Sequence, residues 1–209
     1  MRTMALSLVA LVGMSLGVSG CRVHSHKDAK GDDKNVQIET PFGGVHVNTD
    51  QTTAGELGLP VYPGAVLSKD EEHHESADVH LGFGDWQLSV KVVSYEAPDT
   101  QDKVIAFYRQ SLSRYGSVIT CQGNQPVGEP SVTSEGLSCA DDSKGIHFSS
   151  GGKKETEKLK AGDLQLRAGS KRHQHIVGFE KDSTAGRTRF TLIALDLPRD
   201  EGKEKNAKD

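Results

Sequence analysis

The sequence predicts an α+β fold: a mostly antiparallel sheet, one long amphipathic helix packed on one of its faces, and an N-terminal β-hairpin. Three observations predict it. Trp86 to Tyr95 alternates apolar and polar side chains, the period of a half-buried strand. Val104 to Tyr115 repeats apolar residues at helical spacing. Leu164 to Leu195 then returns to strand-like runs, and strands, one helix and more strands is the α+β order.

The chain opens with a single charge, Arg2, followed by an apolar run from Met4 to Val18 that Gly13 and Gly17 interrupt. A bilayer span needs about 20 apolar residues, so this run is short for one. A charged start, an apolar stretch and small residues before a cut describe a secretory signal over residues 1–20. Val18-Ser19-Gly20-Cys21 resembles the [LVI]-[ASTVI]-[GAS]-C lipobox of bacterial lipoproteins. That resemblance implies cleavage before Cys21, a thioether-linked diacylglycerol on its sulfur and a fatty acid such as palmitate on its new amino group. Each buried CH₂ contributes about 0.8 kcal/mol, so two or three acyl chains anchor a protein where one does not. In a diderm bacterium an aspartate after the cysteine favours inner-membrane retention. Arg22 stands there, so the expected address is the outer membrane, facing the periplasm. In a monoderm it is the outer face of the cytoplasmic membrane.

Residues 21–35 are expected to form a flexible tether, because Arg22 to Asn35 holds many charges and one aliphatic residue, Val23. Val36–Thr40 and Val45–Asn48 alternate on either side of Pro41-Phe42-Gly43-Gly44, which reads as a hairpin within a 36–58 segment. A lone two-stranded hairpin is marginal in water, so this one must dock on the main domain or on a partner. The α+β domain is expected over residues 59–197, and residues 198–209 form a charged, disordered tail.

Within that domain Pro63-Gly64 suits a type II turn, with proline presetting φ and glycine supplying positive φ. Ala65–Ser68 starts a strand. Asp78–Phe83 and Trp86–Tyr95 flank Gly84-Asp85 as a hairpin, with Trp86, Leu88, Val90 and Val92 on one face and Gln87, Ser89 and Lys91 on the other. The helix starts at Pro98-Asp99-Thr100 with an N-cap, carries Val104, Ile105, Phe107, Tyr108, Ser111, Leu112 and Tyr115 on one stripe, and ends at Gly116. Ser117–Gln122 is the next strand, Gly145–Phe148 a short one, and residues 153–161 a solvated helical turn or insertion. Leu164–Ala168, Gln174–Phe179 and Thr188–Leu195 form a meander whose last strand, apolar on both faces, suits a central position.

Leu59-Pro60-Val61-Tyr62-Pro63-Gly64-Ala65 followed by Val104-Ile105-Ala106-Phe107-Tyr108-Arg109-Gln110-Ser111-Leu112 resembles a domain of bacterial lipoproteins. That domain pairs a YPGA turn with a V-x-x-F-Y-R-x-x-L helix. The resemblance covers residues 59–116, extends to 164–197, and implies no activity.

Composition narrows the function classes. Of 25 Lys+Arg the leader removes Arg2, leaving 24 against 29 Asp+Glu, a balance of −5 with both signs interspersed. Nucleic-acid binding would need a basic stripe instead. Lipidation would occupy Cys21 and leave Cys121 and Cys139 as an even pair, expected to be bridged in an oxidising compartment, with two reduced thiols as the other reading. Such a bridge is worth about 3 kcal/mol in the chain-entropy model.

The nine histidines are the sharpest chemical candidates. His173 and His175, two apart on a strand, face one side, and His73 and His74 beside Glu75 could add ligands for a divalent Zn, Ni or Cu ion. Solvated histidines on polar loops are the competing reading. His74-Glu75-Ser76-Ala77-Asp78 ends in aspartate where a helical H-E-x-x-H zinc motif needs histidine. There is no G-x-S-x-G, and Gly151-Gly152-Lys153-Lys154 lacks the first glycine and the Ser or Thr of a phosphate loop. Asp141-Asp142 and Glu71-Glu72 sit among other charges as solvated carboxylates. No cofactor is expected. The expectation is a non-catalytic binding or structural accessory domain, held to the membrane through Cys21 and meeting another envelope protein. Histidine-mediated metal binding is the alternative.

Overall fold

A computed structural model describes residues 22–27, 33–41, 43–49, 52–68, 76–141, 164–180 and 186–198. Eleven strands form one sheet among these residues: β1 (Arg22–Lys27), β2 (Asp33–Thr40), β3 (Gly43–Thr49), β4 (Val66–Leu67), β5 (Ser76–Phe83), β6 (Trp86–Ala97), β7 (Ile119–Gln122), β8 (Gln125–Pro126), β9 (Leu164–Gly169), β10 (His173–Phe179) and β11 (Thr188–Asp196). Their order is β1-β2-β3-β5-β6-β11-β10-β9-β7-β8, with β4 also on β6, and the pairings are antiparallel. One helix, α1 (Gln101–Leu112), runs into a 3-10 turn at Ser113–Tyr115. A mostly antiparallel sheet with a single α-helix is therefore the architecture of the described residues.

The helix buries Val104, Tyr108 and Leu112 completely, the stripe expected from their spacing. They meet Val93, Tyr95, Ala97, Leu166, Ala168, Val177, Phe179, Phe190 and Leu192 of the sheet. Phe190 anchors this core, with its ring centroid 5.8 Å from Tyr95 and 5.2 Å from Tyr108. Tyr108 reaches through the core to donate a hydrogen bond to the Pro60 carbonyl at 3.1 Å. Burial first of all pushes its hydroxyl well above the usual phenol range, so it stays protonated.

The helix start departs from a simple N-cap. Thr100 has the extended backbone of the position, but its hydroxyl makes no capping bond. The Asp99 carboxylate instead accepts from Lys103 Nζ at 2.6 Å and from the Tyr62 hydroxyl at 3.0 Å. Those bonds, Lys103 first, hold its pKa below the ordinary aspartate value. They tie the helix to the Pro63-Gly64 turn, where Gly64 takes φ 77° and Ala65 N–H donates to the Tyr62 carbonyl.

One expectation needs correction. Residues 22–27 and 33–35 do not form a tether; they are strand. Arg22 pairs with Glu39 and His26 with Asn35, because the backbone edge of β2 supplies hydrogen bonds that do not depend on apolar side chains. The 36–48 hairpin docks on the main sheet, one of the two outcomes its marginal stability required: β3 pairs with β5 from Gly43–Phe83 to Thr49–Ala77, and β1 covers β2. The sheet is thus continuous across residue 59. Which face of β6 the helix covers was left open by the alternation; it packs on the face opposite Trp86, Leu88, Val90 and Val92. Val93, Tyr95 and Ala97 enter the helix-side core, and by strand alternation they share their face with Gln87, Ser89 and Lys91. One face is therefore polar at one end of the strand and core at the other.

Residues 145–148 and 153–161, read as a strand and a helical turn, lie outside the described residues, as do residues 1–21 and 199–209.

Candidate functional site

The polar end of the helix-side face adjoins the 3-10 turn Ala54–Leu57. Thr53 N–H donates to the Glu56 carboxylate at 3.1 Å, and the turn closes at Gly58 with φ 69°. The Gly58 carbonyl accepts the Tyr115 hydroxyl at 2.7 Å, and the Tyr115 ring stacks on His175 with centroids 3.6 Å apart and planes 12° from parallel. Arg114 lies over Tyr115, its guanidinium carbon 5.2 Å from the ring centroid.

A cleft of about 280 Å³ opens beside this stack, lined by Glu56, Ser89, Lys91, His175, Ala194 and Asp196 among others. Burial is the largest influence on His175 and lowers its pKa, with Arg114 and His173 acting the same way against Asp196 and the Leu57 backbone. The ring is therefore held neutral. Its Nδ1 is buried without a hydrogen-bond partner among the described residues. The volume is at the small end for ligand sites, which run to roughly 300–1,000 Å³.

His173 and His175 do share a face, but their surroundings diverge. His173 is exposed and its Nδ1 lies 2.7 Å from Asp196 Oδ1, while His175 is committed to the Tyr115 stack. His73, His74 and Cys21 lie outside the described residues. The register creates a different histidine array. His24 pairs with Gln37, Gln37 with His46, His46 with His80, His80 with Ser89, Ser89 with Asp196, and Asp196 with His173. This row crosses seven strands on one face, with His24, His46 and His80 exposed. Strands stand about 4.8 Å apart, so His46 and His80 are neighbours while His24 is about 10 Å from His46. Asp78 Oδ1 lies 2.8 Å from His80 Nε2. Among the described residues no three His, Cys, Asp or Glu side chains come together to hold a metal ion. The only early signal of this row was alternation in β3 and β5; its alignment depends on register.

Cys121 and Cys139 form a disulfide with Cα atoms 5.6 Å apart, as their even pairing led us to expect. With Ile119 they make a small buried cluster on the sheet face away from the helix. Thr133 holds the enclosed loop against β9, its hydroxyl donating to the Gly169 carbonyl at 2.7 Å. Asp141 secures the end of that loop by accepting from Ser138 and pairing with Lys171 at 3.1 Å.

No protein-family model, curated protein or solved structure matches the chain, so its geometry and residues alone carry the functional argument.

Proposed function

We propose that this chain is a lipid-anchored extracytoplasmic protein whose domain binds or braces another component of a bacterial envelope. The carrying observation is that the sheet's edge strand β1 begins at Arg22, the residue after the lipobox cysteine. A lipid on Cys21 would hold that edge at the membrane with no spacer. The Cys121–Cys139 bridge suits an oxidising compartment. In a diderm the anchor lies in the outer membrane, facing the periplasm. The α+β class, the N-terminal hairpin and the likeness to bacterial lipoproteins carrying the YPGA turn belong to the same reading. The sequence offers no nucleophile–base pattern, which favours binding over catalysis.

The partner surface is the β1 edge with the polar face behind it, because both strands of the 36–48 hairpin are already paired. Backbone pairing by an envelope protein supplies affinity at such an edge. The experiment is expression in a bacterium, with mass analysis of the residue-21 peptide and affinity capture of the full chain from envelope extract. A diacylglyceryl-cysteine and a reproducible envelope partner are expected. An unmodified cysteine removes the anchor, and recovery of no partner removes the binding role.

Histidine-mediated binding of a divalent metal is the second reading, favoured by the adjacent, exposed His46 and His80. Two imidazoles can share a Zn, Ni or Cu(II) ion, with water completing its coordination. Melting temperature is expected to rise with metal and fall back with chelator, and His80→Ala should abolish the response. An unmoved melting temperature rejects this reading.

A further inference from the structure

We infer that the tip of the β5–β6 hairpin rests in the membrane interface beside the anchor, with Phe83 and Trp86 as its lipid-facing wedge; the inference rests on the lipid-anchor reading. Arg22 pairs with Glu39, Glu39 with Gly44, Gly44 with Gly82, and Gly82 with Gln87. One step further towards the chain start, the same row continues as Thr40, Gly43, Phe83 and Trp86, which pair in that order. Arg22, the residue that follows the proposed anchor in sequence, and the hairpin tip therefore belong to one end of the sheet. At about 4.8 Å per strand, Phe83 and Trp86 stand roughly 14 and 19 Å across the sheet from the Arg22 end of β1.

These two side chains are what an interface accepts. Phe83 is 48% exposed and Trp86 40%, with ring centroids 6.0 Å apart on the sheet face away from the helix. Along that face Leu81, Leu88, Val45 and Ile38 continue a half-buried apolar surface. Tryptophan and phenylalanine favour the headgroup boundary, where an apolar body and a polar rim are both accommodated. Asp85 shares the tip with Gly84, so insertion stops at headgroup depth rather than in hydrocarbon. A lipid anchor at the same end of the sheet raises the local concentration of bilayer at the wedge, so a weak contact suffices. The contact would fix the sheet upright on the membrane and turn its histidine-bearing face in a set direction.

Trp86 is the sole tryptophan, so its fluorescence reads this contact directly. The full chain is purified from membranes, its residue-21 peptide is weighed, and the protein is reconstituted in phosphatidylcholine–phosphatidylglycerol vesicles carrying brominated acyl chains. The expected result is a shift of Trp86 emission to shorter wavelength, quenching by bromine near the headgroups, and protection from aqueous iodide. Phe83→Asp should reverse all three. An acylated protein whose Trp86 is quenched by iodide but not by bromolipid overturns the inference and leaves the anchor standing. A protein without acyl groups on Cys21 overturns both. The wild-type measurement decides the matter even where Phe83→Asp prevents folding.

Discussion

Replacing Gly58 by alanine should cost about 2–3 kcal/mol, and the cost can be traced to two atoms. Gly58 has φ 69°, a left-handed conformation that costs an L-residue about 1–2 kcal/mol. A Cβ there would stand 2.3 Å from the Tyr115 hydroxyl, so the ring must retreat and give up its bond to the Gly58 carbonyl. That bond is worth about 1 kcal/mol. The next neighbours, Tyr115 Cζ at 3.5 Å and His175 Nε2 at 3.8 Å, are ordinary contacts. Tyr115→Phe alone should therefore cost about 1 kcal/mol, since it removes the hydrogen bond and keeps the stack. In the Tyr115→Phe background, Gly58→Ala should cost only its backbone strain. The double variant is then less damaging than the two singles added, by about 1 kcal/mol. Urea unfolding followed by circular dichroism measures all four proteins with the disulfide intact. Additivity within about 0.3 kcal/mol would show that the hydroxyl does not oppose a Cβ at residue 58. A Gly58→Ala cost below about 0.5 kcal/mol would sink the whole account.

Three further outcomes follow from the same structure. Replacing both Cys121 and Cys139 by serine should lower stability by about 3 kcal/mol, read as a fall in urea midpoint; an unchanged midpoint would mean that Thr133 and Asp141 hold the loop unaided. Leu112→Ala empties a fully buried site and should cost about 2–5 kcal/mol, whereas half-exposed Ile105→Ala should cost clearly less; equal losses would contradict the helix orientation. The folded-state pKa of His175 is lowered, chiefly by burial, so the unfolded chain binds the proton more readily. The associated stability is present above the unfolded histidine value and is lost as pH falls through it, between about pH 7 and pH 5. His175→Asn should flatten the melting-temperature slope over that range, and an identical slope in the variant would assign the acid response elsewhere.

Local signals made most strands and the helix legible. Trp86–Tyr95 and Thr188–Leu195 carry enough β-branched and aromatic residues to announce strands, and Val104, Tyr108 and Leu112 announce the buried helix face. Parity identified the disulfide. Arg22–Lys27 was hidden because an edge strand can take its stability from the neighbouring backbone, and nothing in its side chains advertises that. The covered face of β6 was not legible for a related reason: alternation says that two faces differ but not which one a helix will cover. The candidate cleft was the least legible part. Its stack joins Tyr115 to His175, its carbonyl acceptor is Gly58, and its charges come from Glu56, Lys91 and Asp196. These residues are drawn together by register and helix placement, which no short window contains.

The division of one sheet face into core and polar ends also constrains where recognition can occur. Helix α1 covers the face over β9, β10, β11 and the far half of β6, and only beyond Lys91 do hydrophilic side chains take it over. Asp78, His80, His46 and Gln37 then extend the polar surface towards β1, while Val79, Leu81 and Val45 alternate to the opposite side. A partner that pairs with β1 therefore meets an apolar surface on one side of the new strand and imidazoles on the other. Affinity measured for a captured envelope partner should consequently fall in a His46→Gln, His80→Gln double variant. Pairing unchanged by both substitutions would place the partner on the apolar side of the strand alone.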